Sequence, residues 1–176
     1  MYKKRGRRSQ VWIETVIYTL IGLTIIGLLI GLITPRINQM KDRAIIGQTI
    51  ESMTLLNNKI METLSAPGNT RQITLGLSSG EYVIDSLNET ISYSLKDTNL
   101  LYTEVGQVVP QGEINVLTVD NKGKYNIFLI LNYGDYNLTY EDKDINKTLT
   151  PASNSYGLLI ENKGGADKRI NFRLIS

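Results

Sequence analysis

The residues from Val11 to Ile33 read VWIETVIYTLIGLTIIGLLIGLI, a run of twenty-three residues that are nearly all apolar. At about 1.5 Å of rise per residue, a helix of this length covers the roughly 30 Å hydrocarbon core of a bilayer. Its one carboxylate, Glu14, lies close to the start of the run. The stretch therefore predicts a membrane-spanning helix over residues 11–33.

The residues before this run are strongly basic, because residues 1–9 carry five Lys or Arg side chains and no acid. Basic flanks remain on the cytoplasmic side of a membrane helix, so we expect everything after Ile33 to lie outside the cell. A secretory signal would have a cleavage site of the Ala-x-Ala kind after the run, whereas Thr34-Pro35-Arg36 follows here. We expect the apolar segment to remain in the mature protein.

The composition limits the function. The 176 residues suit one membrane helix and one domain with a single core. The net charge of +2 includes five positive charges from the first nine residues, so the remainder is acidic and no nucleic-acid partner is expected. The chain has no Cys and no His, which excludes disulfides, thiol nucleophiles and most zinc sites and hydrolase triads. We expect no enzymatic activity, no metal and no cofactor.

Helical periodicity continues beyond the membrane segment. We predict one helix over residues 10–65, membrane-spanning over 11–33 and amphipathic over 36–65, with a kink at Pro35. Its apolar stripe would pack on the protein's own C-terminal domain, form a second surface for neighbouring subunits, or do both. The stripe consists of Ile37, Met40, Ala44, Ile46, Ile50, Met53, Leu56, Ile60 and Leu64.

The remainder, residues 66–176, has the period of β-strands and is predicted to form an extracellular head. Short strands separated by turn signals indicate an antiparallel β-sandwich, which makes the fold class α+β. The run 124–133 has the longest apolar stretch and is predicted to be a central strand that is buried on both faces. The candidate strands are residues 71–77, 81–87, 90–95, 101–109, 113–119, 124–133, 136–141, 155–162 and 169–175.

Two kinds of surface site have candidate residues in this head. Asn88, Asn137 and Asn146 each begin an Asn-x-Thr triplet, which is the acceptor signal for N-glycosylation. Glu141, Asp142 and Asp144 form an acidic cluster, but the cluster lacks the spacing and the glycine of a known calcium loop. We interpret the acidic cluster as a solvated turn.

Three residues of the apolar helix have both a functional and an ordinary interpretation. Gly27 and Gly31 have the GxxxG spacing that lets two helices approach closely, although glycine is common in membrane helices generally. A carboxylate such as Glu14 tends to mark function when it lies inside a membrane, although a residue this near the end also reaches the headgroups.

The basic leader and the start of the helix together resemble the class III signal peptide of type IV pilins, particularly the archaeal form. The matching features are the basic KKRGRRS of residues 3–9, then Gln10, then Glu14 at the fifth position after Ser9. The resemblance implies that a prepilin peptidase cuts between Ser9 and Gln10 and removes the leader, residues 1–9. It covers residues 3–33 and is only architectural beyond them. Ser9 stands where that family most often has Gly, and Gln10 where it most often has Phe.

The resemblance also implies how the chain is used. A pilus assembly ATPase and a membrane platform protein would move the subunit out of the membrane, and the apolar helices of many copies would bundle into a filament. Glu14 would then pair with the new α-amine of Gln10 in a neighbouring subunit, so that neither charge is buried alone. The sequence therefore predicts a pilin-like surface filament, made of this chain or of this chain with other pilins, that serves adhesion or motility.

Three alternatives remain open from the sequence. The chain could be a monomeric membrane-anchored protein that binds a ligand at the cell surface. It could be a minor pilin or pseudopilin that primes a filament made of another protein. A membrane-anchored secreted enzyme is the third alternative, and the missing His and Cys argue against it.

Overall fold

The computed structural model describes residues 7–165 and 168–175, and this part of the chain forms one long helix followed by ten strands. The predicted α+β arrangement, a long apolar N-terminal helix and then mostly antiparallel sheets, is confirmed. The elements are α1 (Arg7–Leu64), β1 (Thr70–Leu75), β2 (Glu81–Asp85), β3 (Thr90–Thr98), β4 (Val108–Gln111), β5 (Ile114–Asn121), β6 (Lys124–Asn132), β7 (Asn137–Tyr140), β8 (Lys147–Leu149), β9 (Tyr156–Gly164) and β10 (Arg169–Ile175).

Helix α1 continues through Pro35 and ends at Leu64, one residue before the predicted end at residue 65 and just before Ala66-Pro67-Gly68. Proline has no N–H to donate, so the carbonyl of Gly31 loses its usual helical partner. The preceding carbonyl, that of Ile30, accepts a side-chain hydrogen bond from the Thr34 hydroxyl at 2.7 Å. The chain divides into two compact units, one through Met40 and one from Lys41, so the last part of α1 belongs to the same unit as the strands.

The strands form two sheets. One has four strands in the order β1-β9-β10-β7, and the other has six in the order β4-β5-β6-β3-β2-β8. All neighbouring strands that the structure describes are antiparallel except β7 and β10, which run parallel. The prediction of purely antiparallel pairing is therefore wrong at this edge of the four-stranded sheet.

Buried side chains from α1 and from both sheets form one hydrophobic cluster. The helix contributes Ile46, Met53, Leu56 and Ile60, each at most 1% exposed. Burial of this kind is the main stabilising term for a domain without disulfides. The first interpretation of the stripe, packing on the protein's own domain, is therefore correct for its C-terminal part. Ile37, Met40 and Ala44 of the same stripe are exposed.

Two strand predictions are wrong in detail. Of the predicted strand 101–109, only the end is extended, because Gly106 has a φ of 76° and the chain turns there. Strand β8 was not predicted. Its three residues are too short to show a period.

The central strand β6 is buried on one face only, which contradicts the predicted burial of both faces. Ile127, Leu129 and Leu131 point into the core, whereas the alternate residues Phe128 and Ile130 are half-buried. The central position within the six-stranded sheet is confirmed.

Asn162 of β9 connects the four-stranded sheet to the end of α1. Its side-chain Nδ2 donates to the carbonyls of Thr63 and Ala66 at 3.2 and 3.0 Å, and its Oδ1 accepts from the Gly164 N–H at 2.9 Å. The last carbonyls of a helix have no partner within the helix, so they need an outside donor when they are buried. One side chain, itself only 6% exposed, supplies that donor here.

We therefore expect Asn162→Ala to lower the free energy of unfolding by about 2 to 3 kcal/mol, since the Thr63 and Ala66 carbonyls and the Gly164 N–H each lose a hydrogen bond. Denaturant unfolding of the full chain in detergent measures the change. Asn58→Ala is the control, because Asn58 lies on the exposed face of α1. An equally small effect for both variants would contradict the role assigned to Asn162.

Candidate assembly surface

The apolar segment of α1 is exposed along its whole length. Between Val11 and Ile33 every residue is exposed except Gly22, which is half-buried. Trp12 and Leu32 are 71% and 72% exposed. The segment is long and apolar enough to cross a membrane. Signal sequences and core helices of soluble proteins meet the same criteria of length and composition. A core helix would be mostly buried, whereas the most apolar part of this segment is not buried against any of the described chain.

The threonines of the segment do not make it polar, because their hydroxyls bond to their own helix. Each donates to the carbonyl four residues earlier, which satisfies the hydroxyl without water or another chain. These residues are Thr15, Thr19 and Thr24, and Thr34 just after the segment does the same, with distances of 2.9, 2.8, 2.8 and 2.7 Å.

Glu14 is therefore the conspicuous polar group of the segment. Among the side chains that the structure describes, residues 11–165 and 168–175, none forms an ion pair with it. A carboxylate on an apolar helix needs a cation, a headgroup or water. Ser9 and Gln10, the predicted cleavage residues, lie in the first turns of α1, and their side chains lie outside the described part of the structure.

Gly27 and Gly31 are not required by anything within this chain. A Cβ atom built on either residue meets nothing within 4 Å, and the same holds for Gly22. Residues four apart lie roughly 40° apart around a helix, so Gly27 and Gly31 share a face, whereas Gly22 lies roughly 140° from Gly27. The pair leaves a shallow open strip on one side of the helix.

The three glycosylation triplets differ in accessibility. Asn88 is exposed in the turn between β2 and β3, where its Nδ2 donates to Asp85 at 2.8 Å and lowers the pKa of that carboxyl. Asn146 is exposed, and its Oδ1 accepts from the Ser86 N–H at 3.0 Å. Asn137 begins the edge strand β7, and its Oδ1 is buried without a hydrogen-bond partner in the described chain. Asn88 and Asn146 are thus the two exposed asparagines of the three triplets.

The acidic cluster lies in an exposed turn after β7, where Asp142 takes part in ion pairs. Asp142 contacts Lys163 at 3.3 Å and Arg173 at 3.7 Å. Both cations also contact Glu161, whose pKa is lowered first by the hydrogen bond from Asn171 and then by Lys163. Within the described residues, no group of three or more His, Cys, Asp or Glu side chains is placed to hold a metal ion.

The outer face of the six-stranded sheet was missed by the sequence reasoning. Val108, Leu117, Val119, Phe128 and Ile130 all point away from the core, and each is exposed or half-buried. The unbroken apolar stretch in the run 124–133 predicts burial on both faces. The sequence nevertheless contains a sign that this face meets solvent. The outward positions of β5 and β6 also include Asn115 and Asn126, and polar residues at alternate positions are typical of a solvent-exposed face.

Comparisons with known proteins give no guide to the function, because no protein-family model, no curated protein and no solved structure matches this chain.

Proposed function

We propose that this chain is a pilin-like structural subunit. A prepilin peptidase cuts it between Ser9 and Gln10, and the residues from Val11 to Ile33 then assemble with those of other copies into a type IV pilus-like filament. Before assembly the chain is anchored in the membrane with its head outside. After assembly it lies in a surface filament that serves adhesion or motility.

The observation that supports this most is the exposure of the whole apolar segment in a helix whose other end is buried in a folded head. A helix that is apolar on all sides needs apolar surroundings on all sides. Lipid provides them before assembly. A bundle of identical helices provides them afterwards, so that the transfer exposes little apolar surface to water.

The head serves as the folded part that the filament displays. We propose that its two sheets pack as a β-sandwich, and the support is the single core cluster to which both sheets and α1 contribute. Asn88 and Asn146 are the proposed positions for glycans, because both are exposed in turns or loops of the head.

Glu14 gives assembly its register. Cleavage before Gln10 creates a positive α-amine, and both groups then move into an apolar bundle where an unpaired charge is costly. Each charge is satisfied when the Glu14 carboxylate of one subunit lies against the Gln10 amine of the next. The pair therefore favours one stagger of neighbouring helices over all others.

We expect Glu14→Ala to leave insertion and cleavage intact and to reduce assembly at least about ten-fold, because removing one partner of a buried pair costs roughly 3 to 5 kcal/mol. The amount of chain in filaments sheared from cells measures assembly, and mass spectrometry of the membrane fraction measures cleavage.

Thr15→Ala is the matched control, since the Thr15 hydroxyl bonds only to its own helix at Val11. It should assemble normally. Sheared fractions with normal amounts of the Glu14→Ala variant would show that the carboxylate is dispensable.

A further inference from the structure

A small polar cavity lies between α1 and the segment that follows β1. Its volume is about 50 Å³. A water molecule occupies about 30 Å³ in the liquid, so the cavity has room for one. The residues that line it carry hydroxyl and amide groups but no charge, and they are Ile45, Gln48, Thr49, Ser52, Gly76, Leu77, Ser78 and Ser79.

Beside this cavity the hydroxyl of Tyr82 is buried without a partner. Tyr82 of β2 is only 2% exposed, and its hydroxyl forms no hydrogen bond within the described chain. Burial raises the pKa of Tyr82, and the hydroxyl of Ser52, a residue of the cavity wall, opposes that rise, so the two hydroxyls lie near each other. Buried polar groups are nearly always satisfied by the protein or by ordered water, because an unpaired hydroxyl is costly.

The neighbouring Tyr93 shows how the protein satisfies a hydroxyl at the same place. The rings of Tyr82 and Tyr93 are 5.2 Å apart, and the Tyr93 hydroxyl donates to the Ser79 carbonyl at 2.9 Å. Burial raises the pKa of Tyr93, and the nearby Thr49 hydroxyl opposes the rise. Thr49 and Ser52 are three residues apart and therefore share one side of α1. Both tyrosines thus direct their hydroxyls towards this side of the helix, and of the two only Tyr82 lacks a partner in the described chain.

We propose that the cavity binds an ordered water molecule that accepts a hydrogen bond from the Tyr82 hydroxyl and donates one to the Ser52 hydroxyl. Buried waters usually make about three hydrogen bonds, and Gln48 and Thr49 of the cavity wall offer further partners. The water joins β2 to α1, so it fastens the helix to the six-stranded sheet. The site needs only a folded head, and its failure would leave the proposed function intact.

The first test is the sign of the change in stability caused by Tyr82→Phe, measured by denaturant unfolding of the full chain in detergent. The substitution removes one hydrogen bond of the bridge, so we expect the equilibrium constant for unfolding to rise about five-fold. A hydroxyl buried with no partner at all gives the opposite sign, because its removal relieves the cost of burying it. An unchanged or a lower constant would overturn the proposal.

Ser52→Ala removes the other end of the bridge and should raise the same constant by a similar factor. The double variant Tyr82→Phe/Ser52→Ala should be about as unstable as either single variant, because each substitution alone already breaks the bridge. Thr54→Ala is the control, since the exposed Thr54 hydroxyl bonds to the Ile50 carbonyl of its own helix at 2.8 Å. It should leave the constant close to that of the native chain. Losses that add in the double variant would contradict the bridge.

High-resolution crystallography of the full chain in detergent distinguishes a water bridge from a direct hydrogen bond between the two hydroxyls. We expect a peak of electron density within hydrogen-bond distance of both Tyr82 Oη and Ser52 Oγ. The peak should be lost or displaced in crystals of the Tyr82→Phe variant. Direct contact between the two oxygens, or a cavity without such a peak, would overturn the proposal.

Discussion

Replacing Gly80 by Ala is expected to destabilise the head by about 3 to 5 kcal/mol, the largest loss of stability that we predict for a single methyl group. Gly80 has a φ of 75°, and a Cβ there would lie 2.6 Å from the Ser94 carbonyl oxygen and closer still to the Tyr93 hydroxyl. Neither atom can move away easily. The Tyr93 side chain is fully buried, and its hydroxyl donates to the Ser79 carbonyl at 2.9 Å.

The buried ring also explains why this site tolerates no rearrangement. The Tyr93 ring packs against that of Tyr82 with centroids 5.2 Å apart, and burial raises the pKa of Tyr93 to about 12. Displacing the ring would break the hydrogen bond and the aromatic contact together. Since whole domains are stable by only about 5 to 15 kcal/mol, the variant should lose a large fraction of its stability and unfold at a clearly lower temperature.

Thermal unfolding of the full chain in detergent measures this effect, and Gly112→Ala is the control. Gly112 also has a positive φ, 62°, but a Cβ there meets nothing within 4 Å. Gly112→Ala should lower the free energy of unfolding by only about 1 to 2 kcal/mol, which is the cost of the left-handed conformation itself. Equal losses in the two variants would show that the contact with Tyr93 is not the cause.

Replacing both Gly27 and Gly31 by Leu is expected to abolish filaments without harming the subunit. A Cβ at either position meets nothing in the chain, and Leu favours a helix by roughly 1 kcal/mol over Gly. The monomer should therefore insert, fold and be cleaved normally. Two helices that approach along the open strip would be pushed apart by the new side chains, which reduces association by at least about ten-fold.

Gly22→Leu is the matched control for this variant. A Cβ at Gly22 also meets nothing within 4 Å, but Gly22 lies on another side of the helix, so the substitution should leave assembly close to normal. The amount of chain in sheared filaments, divided by the amount in membranes, gives the comparison. Loss of filaments in both variants would mean that the helix tolerates no added volume on either side, and it would contradict a specific role for Gly27 and Gly31.

The sequence predicted the order of the elements well because the two periods are distinct. A continuous apolar run and then a stripe at steps of three and four mark the helix, and alternating or β-branched runs mark most of the strands. Turn residues with positive φ, such as Gly80, Gly112 and Gly123, fall where turns were predicted. The end of α1 was predicted correctly because Pro and Gly stop a helix for local reasons.

The features that the sequence did not predict depend on contacts between distant residues. The parallel pairing of β7 with β10 joins Asn137 to Arg169, and no local pattern specifies it. The burial of one face of β6 depends on what packs against the sheet, so Phe128 could not be distinguished from Leu129 in an unbroken apolar run. Asn162 has no signal at all, because its partners at the end of α1 lie about a hundred residues away.

For the candidate assembly surface the sequence was more informative. Glu14, Gly27 and Gly31 stand out from an otherwise apolar run, and no surrounding structure is needed to notice them. The structure adds that this chain alone leaves Glu14 without a cation among the described side chains and leaves both glycines uncovered. The proposal that other copies of the chain supply the cation for Glu14 and cover Gly27 and Gly31 accounts for both observations.

The central claim is that the chain is cut before Gln10 and that the exposed helix then moves from lipid into a bundle of its own copies. The most direct test is mass spectrometry of intact chains from sheared surface filaments, in cells that supply the prepilin peptidase and the assembly machinery. We predict a chain that begins at Gln10 and is recovered in fibres. A chain that keeps residues 1–9, stays in the membrane and forms no fibres would contradict the account.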